Sequence, residues 1–119
     1  MKVELRHQFS IESARFLPHL PIEHPCRHTH GHSFKITVVL RGECDPKTGW
    51  LMDYHELSKI CQNVLKNVDH KLLNEVPGLS NPTTENLTAW LFENLKKNLK
   101  DLSQVQVSET DCTLCVYPI

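Results

Sequence analysis

From His30 to Leu40 every second residue is an imidazole or an apolar side chain: His30, His32, Phe34, Ile36, Val38 and Leu40. On an extended backbone such positions share one face. The alternation predicts a half-buried strand over 32–42, with an apolar face that runs into the histidines. If extension reaches His30, both rings point the same way. Gly31 between them has no side chain, which suits close approach of backbone or ligand. Two neutral imidazoles on one strand make half of a tetrahedral zinc site. Cys26 and His28 lie just upstream, so a thiol, three imidazoles and a glycine fall within Cys26–His32. A histidine pair in a proline-rich loop is often mere surface. This density, leading straight into a buried face, favours a metal beside a nucleophile or base, and hence an enzyme.

The remaining pattern predicts a small α+β domain. Residues 3–14 read as a strand, with Val3, Leu5, Phe9 and Ile11 on one parity. Residues 15–31 read as a long loop with Pro18, Pro21 and Pro25, and a loop of that length in a small domain is usually functional or disordered. Asp45-Pro46-Lys47-Thr48-Gly49 is a turn by composition. A helix is predicted from Asp53, with Asp53-x-x-Glu56 resembling a capping box. Leu57, Ile60, Cys61, Val64, Leu65 and Val68 carry its buried stripe, and Asp69-His70 follows at its end. A second helix is predicted from Thr83 or Thr84, through Leu87, Trp90, Leu91, Leu95 and Leu99. Two short strands, 103–110 and 112–117, complete the order β-β-α-α-β-β. Both helices then cover one face of an antiparallel sheet. Glu109 shares parity with Val105 and Val107. An unpaired carboxylate on a buried face is costly, so it calls for a partner, and a ligand is one candidate. Four strands leave two free edges, for which self-association is the expected remedy.

Composition excludes several classes. The chain has 119 residues, enough for one domain over 1–119. Its formal net charge of -1 gives no support to nucleic-acid binding. No apolar run is long enough to suggest a membrane span. Charged residues occupy the start, where a signal peptide needs an apolar core. The five cysteines are odd in number and irregularly spaced. Together these features predict reduced thiols and a cytoplasmic protein. Cys112-x-x-Cys115 on a strand would place its thiols on opposite faces, so both read as packing residues.

Several motifs, in order, resemble those of the 6-pyruvoyltetrahydropterin synthase family, which has the tunnelling fold (T-fold). They are Cys26-x-x-x-His30-Gly31-His32, the stretch Gly42–Trp50 followed by Met52-Asp53-Tyr54, Asp69-His70 with Leu73-Asn74, Pro82-Thr83-Thr84-Glu85-Asn86, and Glu109-Thr110. The resemblance spans nearly the whole chain and is nearest to the bacterial 6-carboxy-5,6,7,8-tetrahydropterin synthases of queuosine biosynthesis. It implies a zinc-dependent lyase acting on 7,8-dihydroneopterin triphosphate. Its products would be 6-carboxytetrahydropterin, acetaldehyde and triphosphate. The 6-pyruvoyl reaction, which eliminates triphosphate only, is the alternative. A non-catalytic pterin- or metal-binding relative is a second one. Cys26 is implied as a general base, with Asp69 and His70 as a proton-transferring pair. Glu109 is implied as the pterin anchor, and Thr83 and Thr84 as substrate contacts. Assembly into trimers and a hexamer, forming a barrel, is also implied.

One position departs from the pattern. The family usually supplies a third zinc ligand from a histidine at the end of the first strand, and Arg15 stands there. Arginine has no lone pair to give a metal. His19 and His28 are the candidates for a third ligand beside His30 and His32. His19 approaches from the first-strand side and is the expected one.

Overall fold

A computed structural model describes all 119 residues. Two long strands, β1 (Lys2–Arg15) and β2 (His30–Glu43), pair antiparallel along their whole length. Helices α1 (Tyr54–Leu65) and α2 (Thr84–Lys96) follow, then strands β3 (Leu102–Thr110) and β4 (Thr113–Tyr117). The sheet order is β1-β2-β3-β4, all antiparallel.

The register sets what each face carries. Phe9 lies opposite Ile36, Ile11 opposite Phe34, Val38 opposite Val105, and Ile36 opposite Val107. These residues share one core with Leu57, Cys61, Leu65, Leu87, Leu91 and Leu95 from the helices. Each such leucine, fully buried, contributes about 2 kcal/mol through removal of apolar surface from water. Cys61 is enclosed in this core, and burial pushes its thiol up to about 12. A thiol held neutral and enclosed is a poor nucleophile. Iodoacetamide near pH 8 is therefore expected to label exposed Cys112 while sparing Cys61 until the protein is unfolded. Equal labelling of both in folded protein would contradict the packing.

The two first strands are longer than the sequence predicts. Arg15 pairs with His30, Ala14 with Gly31, and Ser13 with His32. The connecting loop therefore shrinks to 16–29. It is closed by Leu17 N–H donating to the Cys26 carbonyl at 2.8 Å and holds a short 3-10 turn at Pro25–Arg27. Asn74 clamps its start, accepting from Phe16 N–H at 3.0 Å and donating to the Phe16 carbonyl at 2.8 Å.

The Asp53 side chain caps α1 by accepting from His55 N–H at 2.9 Å, with no return bond from Glu56, so the expected capping box is half formed. Helix α1 stops at Leu65, before Val68, because the next residues are tied to β1. Ser13 Oγ donates to the Val68 carbonyl, and Ala14 N–H donates to the Lys71 carbonyl at 2.9 Å. Thr83 caps α2 through Asn86 N–H at 3.1 Å. Cys112 lies in the β3–β4 turn rather than on a strand, and all five thiols are free. No helix is long and apolar enough to cross a membrane.

Candidate active site

The inner sheet face ends in polar side chains. Beyond Ile11, Phe34 and Val107, the same face continues as Ser13 and Arg15 on β1, His32 and His30 on β2, and Glu109 on β3. Extended pairing makes this cluster, because residues distant in sequence are brought side by side at one period.

Arg15 is the centre of it. Only 4 % of its side chain is exposed. Its Nη2 donates to Glu109 Oε2, and Nη1 donates to the Pro82 carbonyl at 3.1 Å and to Thr84 Oγ1 at 3.2 Å. The guanidinium carbon lies 5.2 Å from the Phe34 ring centroid, a cation–π distance. Glu109 thus has the partner that its position demands. Its Oε1 makes no hydrogen bond, while Oε2 also lies 3.5 Å from His32 Nε2. A carboxylate accepts through about four lone-pair sites, so Glu109 keeps acceptor capacity for a ligand.

His30 and His32 meet edge to face with ring centroids 4.9 Å apart. His30 Nδ1–H donates to the His28 carbonyl at 2.7 Å. That bond leaves Nε2 as the lone-pair nitrogen, and it is buried without a partner. Burial chiefly, then the Arg15 charge, lowers the His32 pKa, so its ring is neutral at pH 7.

Asp69 and His70 stand at the free edge of β1. Asp69 Oδ1 accepts from Glu12 N–H at 2.9 Å, and His70 N–H donates to the Glu12 carbonyl at 2.6 Å. His70 takes a φ of 56°, a left-handed conformation uncommon for a residue with a side chain and typical of functional positions. Its Nδ1 lies 2.9 Å from Asp69 Oδ1. The carboxylate thus lies beside the ring, and His70 Nε2 makes no hydrogen bond within the protein. His70 opens on a hollow of about 480 Å³ that His32, Gly31, Ser13 and Lys71 also line. His32 therefore belongs to both the inner cluster and this hollow.

Not every expected residue joins. Cys26 is half-buried in the 16–29 loop, its N–H donating to His24 Nδ1 at 3.1 Å, and it does not line the His70 hollow. Thr83 is occupied as a helix cap, and Thr84 holds Arg15. His19 stays exposed in the same loop. No group of three or more His, Cys, Asp or Glu side chains is placed to hold a metal ion. A resident zinc needs at least three protein donors. The orphaned His30 Nε2 fits one, but with a guanidinium across from it the residues present do not fit a three-ligand zinc centre. In the sequence Arg15 reads as an absent metal ligand, and no local signal pairs it with Glu109, 94 residues away.

A four-stranded antiparallel sheet with both helices on one face, ending in a carboxylate and two imidazoles, defines a T-fold protein with a polar cluster at one end of its sheet. The sequence pattern of the family described as 6-pyruvoyl tetrahydropterin synthase matches residues 4–118, and the chain belongs to that family. The 6-carboxy-5,6,7,8-tetrahydropterin synthase of Synechocystis is 38% identical over 89% of this chain and 84% of its own length. The human 6-pyruvoyl tetrahydrobiopterin synthase is 38% identical over 74% of this chain and 65% of its own length. A dihydroneopterin monophosphate aldolase of Pyrococcus furiosus is 44% identical over a shorter match, 59% of this chain and 58% of that relative. The Caenorhabditis elegans 6-pyruvoyl tetrahydropterin synthase structure superposes with a TM-score of 0.90 at 29% identity, covering 100% of this chain and 96% of that one.

Proposed function

We propose that the chain is a cytoplasmic 6-carboxy-5,6,7,8-tetrahydropterin synthase serving queuosine biosynthesis. It would take 7,8-dihydroneopterin triphosphate and water to 6-carboxytetrahydropterin, acetaldehyde and triphosphate. The observation that carries this reading is Glu109: a carboxylate on a buried sheet face, with unused acceptor capacity, beside the neutral His32 imidazole. Such a group suits adjacent N–H donors of a pterin ring, since charge-assisted hydrogen bonds are about twice as strong as neutral ones. The likeness to the Synechocystis enzyme over most of both chains supports the 6-carboxy product.

The chain's own residues divide the work. Glu109 holds the ring and so fixes where the side chain lies. Cys26 takes a proton from that side chain. His70, oriented by Asp69, exchanges a proton with its hydroxyls through Nε2. Removal of the proton on the second side-chain carbon breaks the bond between the third carbon and its ester oxygen, and triphosphate leaves. Two hydrogens pass from the side chain to the ring, leaving carbonyls on the first two side-chain carbons; water adds to the first, and cleavage between the two leaves the carboxyl on the ring and releases the other two carbons as acetaldehyde. Zinc, expected from the resemblance on His30, His32 and His19, lacks a third donor in place, and no step here depends on it.

Assembly into trimers and a hexamer, implied by the family resemblance, is part of this reading, since a four-stranded sheet leaves its edges open. The free β4 edge, with Leu114 60% and Tyr117 36% exposed, is a surface for such closure. The human and nematode relatives favour the 6-pyruvoyl reaction as the second reading. A coupled alcohol dehydrogenase assay separates the two. Acetaldehyde should form in step with substrate loss, whereas a three-carbon side chain retained on the product would overturn the 6-carboxy assignment.

A further inference from the structure

We infer that the Arg15 guanidinium, in place of a bound metal ion, is the resident cation of this site, and that its Nε–H acts with His30 Nε2 to hold one ligand hydroxyl. Only positions 13 and 15 of β1 lie directly across from the histidines, Ser13 opposite His32 and Arg15 opposite His30. Ser13 Oγ is committed to the Val68 carbonyl. Position 15 is therefore the place on β1 from which a third imidazole would reach the pair. An arginine there brings a permanent positive charge instead of a lone pair.

Arg15 is not free to swing away and admit a metal. Glu109, the Pro82 carbonyl and Thr84 hold it on three sides, and Phe34 lies against its face. Withdrawing it would leave Glu109 without its counter-ion and a buried guanidinium without acceptors.

Two buried side-chain nitrogens in the protein lack a partner: Arg15 Nε and His30 Nε2. They belong to one cross-strand pair. The first can only donate. The second, in the neutral ring whose Nδ1–H is bonded to a carbonyl, accepts. A hydroxyl satisfies both at once, accepting from Arg15 and donating to His30. Buried orphans of opposite sense at adjacent positions mark a place for such a group. That the hydroxyl belongs to a pterin side chain rests on the proposed function. The cation assignment does not.

Cobalt(II) reports tetrahedral nitrogen sites by its visible absorption, so the test titrates it into the purified protein and R15H. Wild type should develop no tetrahedral spectrum at equimolar metal. R15H should bind one cobalt per chain, at least roughly 100-fold more tightly, because a third imidazole completes the set. Stoichiometric uptake by wild type, abolished in H30A/H32A, would overturn the inference whether or not R15H folds. For the hydroxyl, neopterin should bind wild type about tenfold more tightly than 6-methylpterin, the scale of one good hydrogen bond. R15K, which keeps the charge but moves the donor, should lose that preference. Equal affinities in wild type would refute the hydroxyl assignment. If neither pterin binds, the proposed function fails, and the cobalt titration still decides the cation.

Discussion

Glu109→Ala is expected to weaken pterin binding and destabilise the protein together. Glu109 neutralises Arg15, whose side chain is only 4 % exposed. Removing one partner of a buried ion pair leaves an uncompensated charge and costs about 3 kcal/mol. Part of that is recovered here because Glu109 itself is a quarter exposed and water can enter. Ring affinity should fall by roughly 100-fold, the value of charge-assisted hydrogen bonds to two N–H donors. Glu109→Gln keeps an acceptor but not the charge, so it should lie between wild type and alanine on both scales. Urea denaturation and fluorescence titration with neopterin measure the two effects. A stable Glu109→Ala protein with unchanged pterin affinity would contradict both roles.

Cys26→Ala should behave differently. Cys26 lies in the 16–29 loop and hydrogen-bonds only through its backbone, to Leu17 N–H and to the His24 ring. Its thiol supports no core packing, so stability should change little. If it is the proton-transferring base, turnover falls by about 100-fold or more while pterin affinity holds, because a positioned base acts in the transition state. Single-turnover rates with 7,8-dihydroneopterin triphosphate measure this. Wild-type turnover in Cys26→Ala would move the base to His70, with Asp69 as its orienter.

The two variants also show what could be read from the chain and what could not. The apolar faces were legible, because Phe34, Ile36, Val38, Val105 and Val107 keep a period of two and their burial enforces it. The helices were legible for the same reason at their own period. Strand ends were not. Arg15 and His30 read as loop because the face there holds charge and imidazole where a core would hold hydrocarbon. Pairing with a neighbouring strand extends the ladder regardless of what the side chains face.

Long-range ties were equally hidden. That Asp69 and His70 form a pair follows from adjacency. That Glu12, 57 residues earlier than Asp69, hangs this segment on the β1 edge depends on tertiary contact. The position of Glu109 called for a partner, of which a ligand was one candidate. The first partner proved to be Arg15, which sequence patterning cannot pair across 94 residues. Thr83 and Thr84 looked like ligand contacts and turn out to cap α2 and to hold Arg15. Both placements serve the site indirectly, by fixing the cation that fixes Glu109.

The proposed reaction requires this site to eliminate triphosphate from a dihydropterin ester, which phosphorus NMR of 7,8-dihydroneopterin triphosphate incubated with the purified protein, stripped of metal by a chelator, follows bond by bond. The esterified phosphate signal should disappear as free inorganic triphosphate grows, without monophosphate or diphosphate. An ester signal that persists, or phosphate released stepwise from the terminal end, would contradict it.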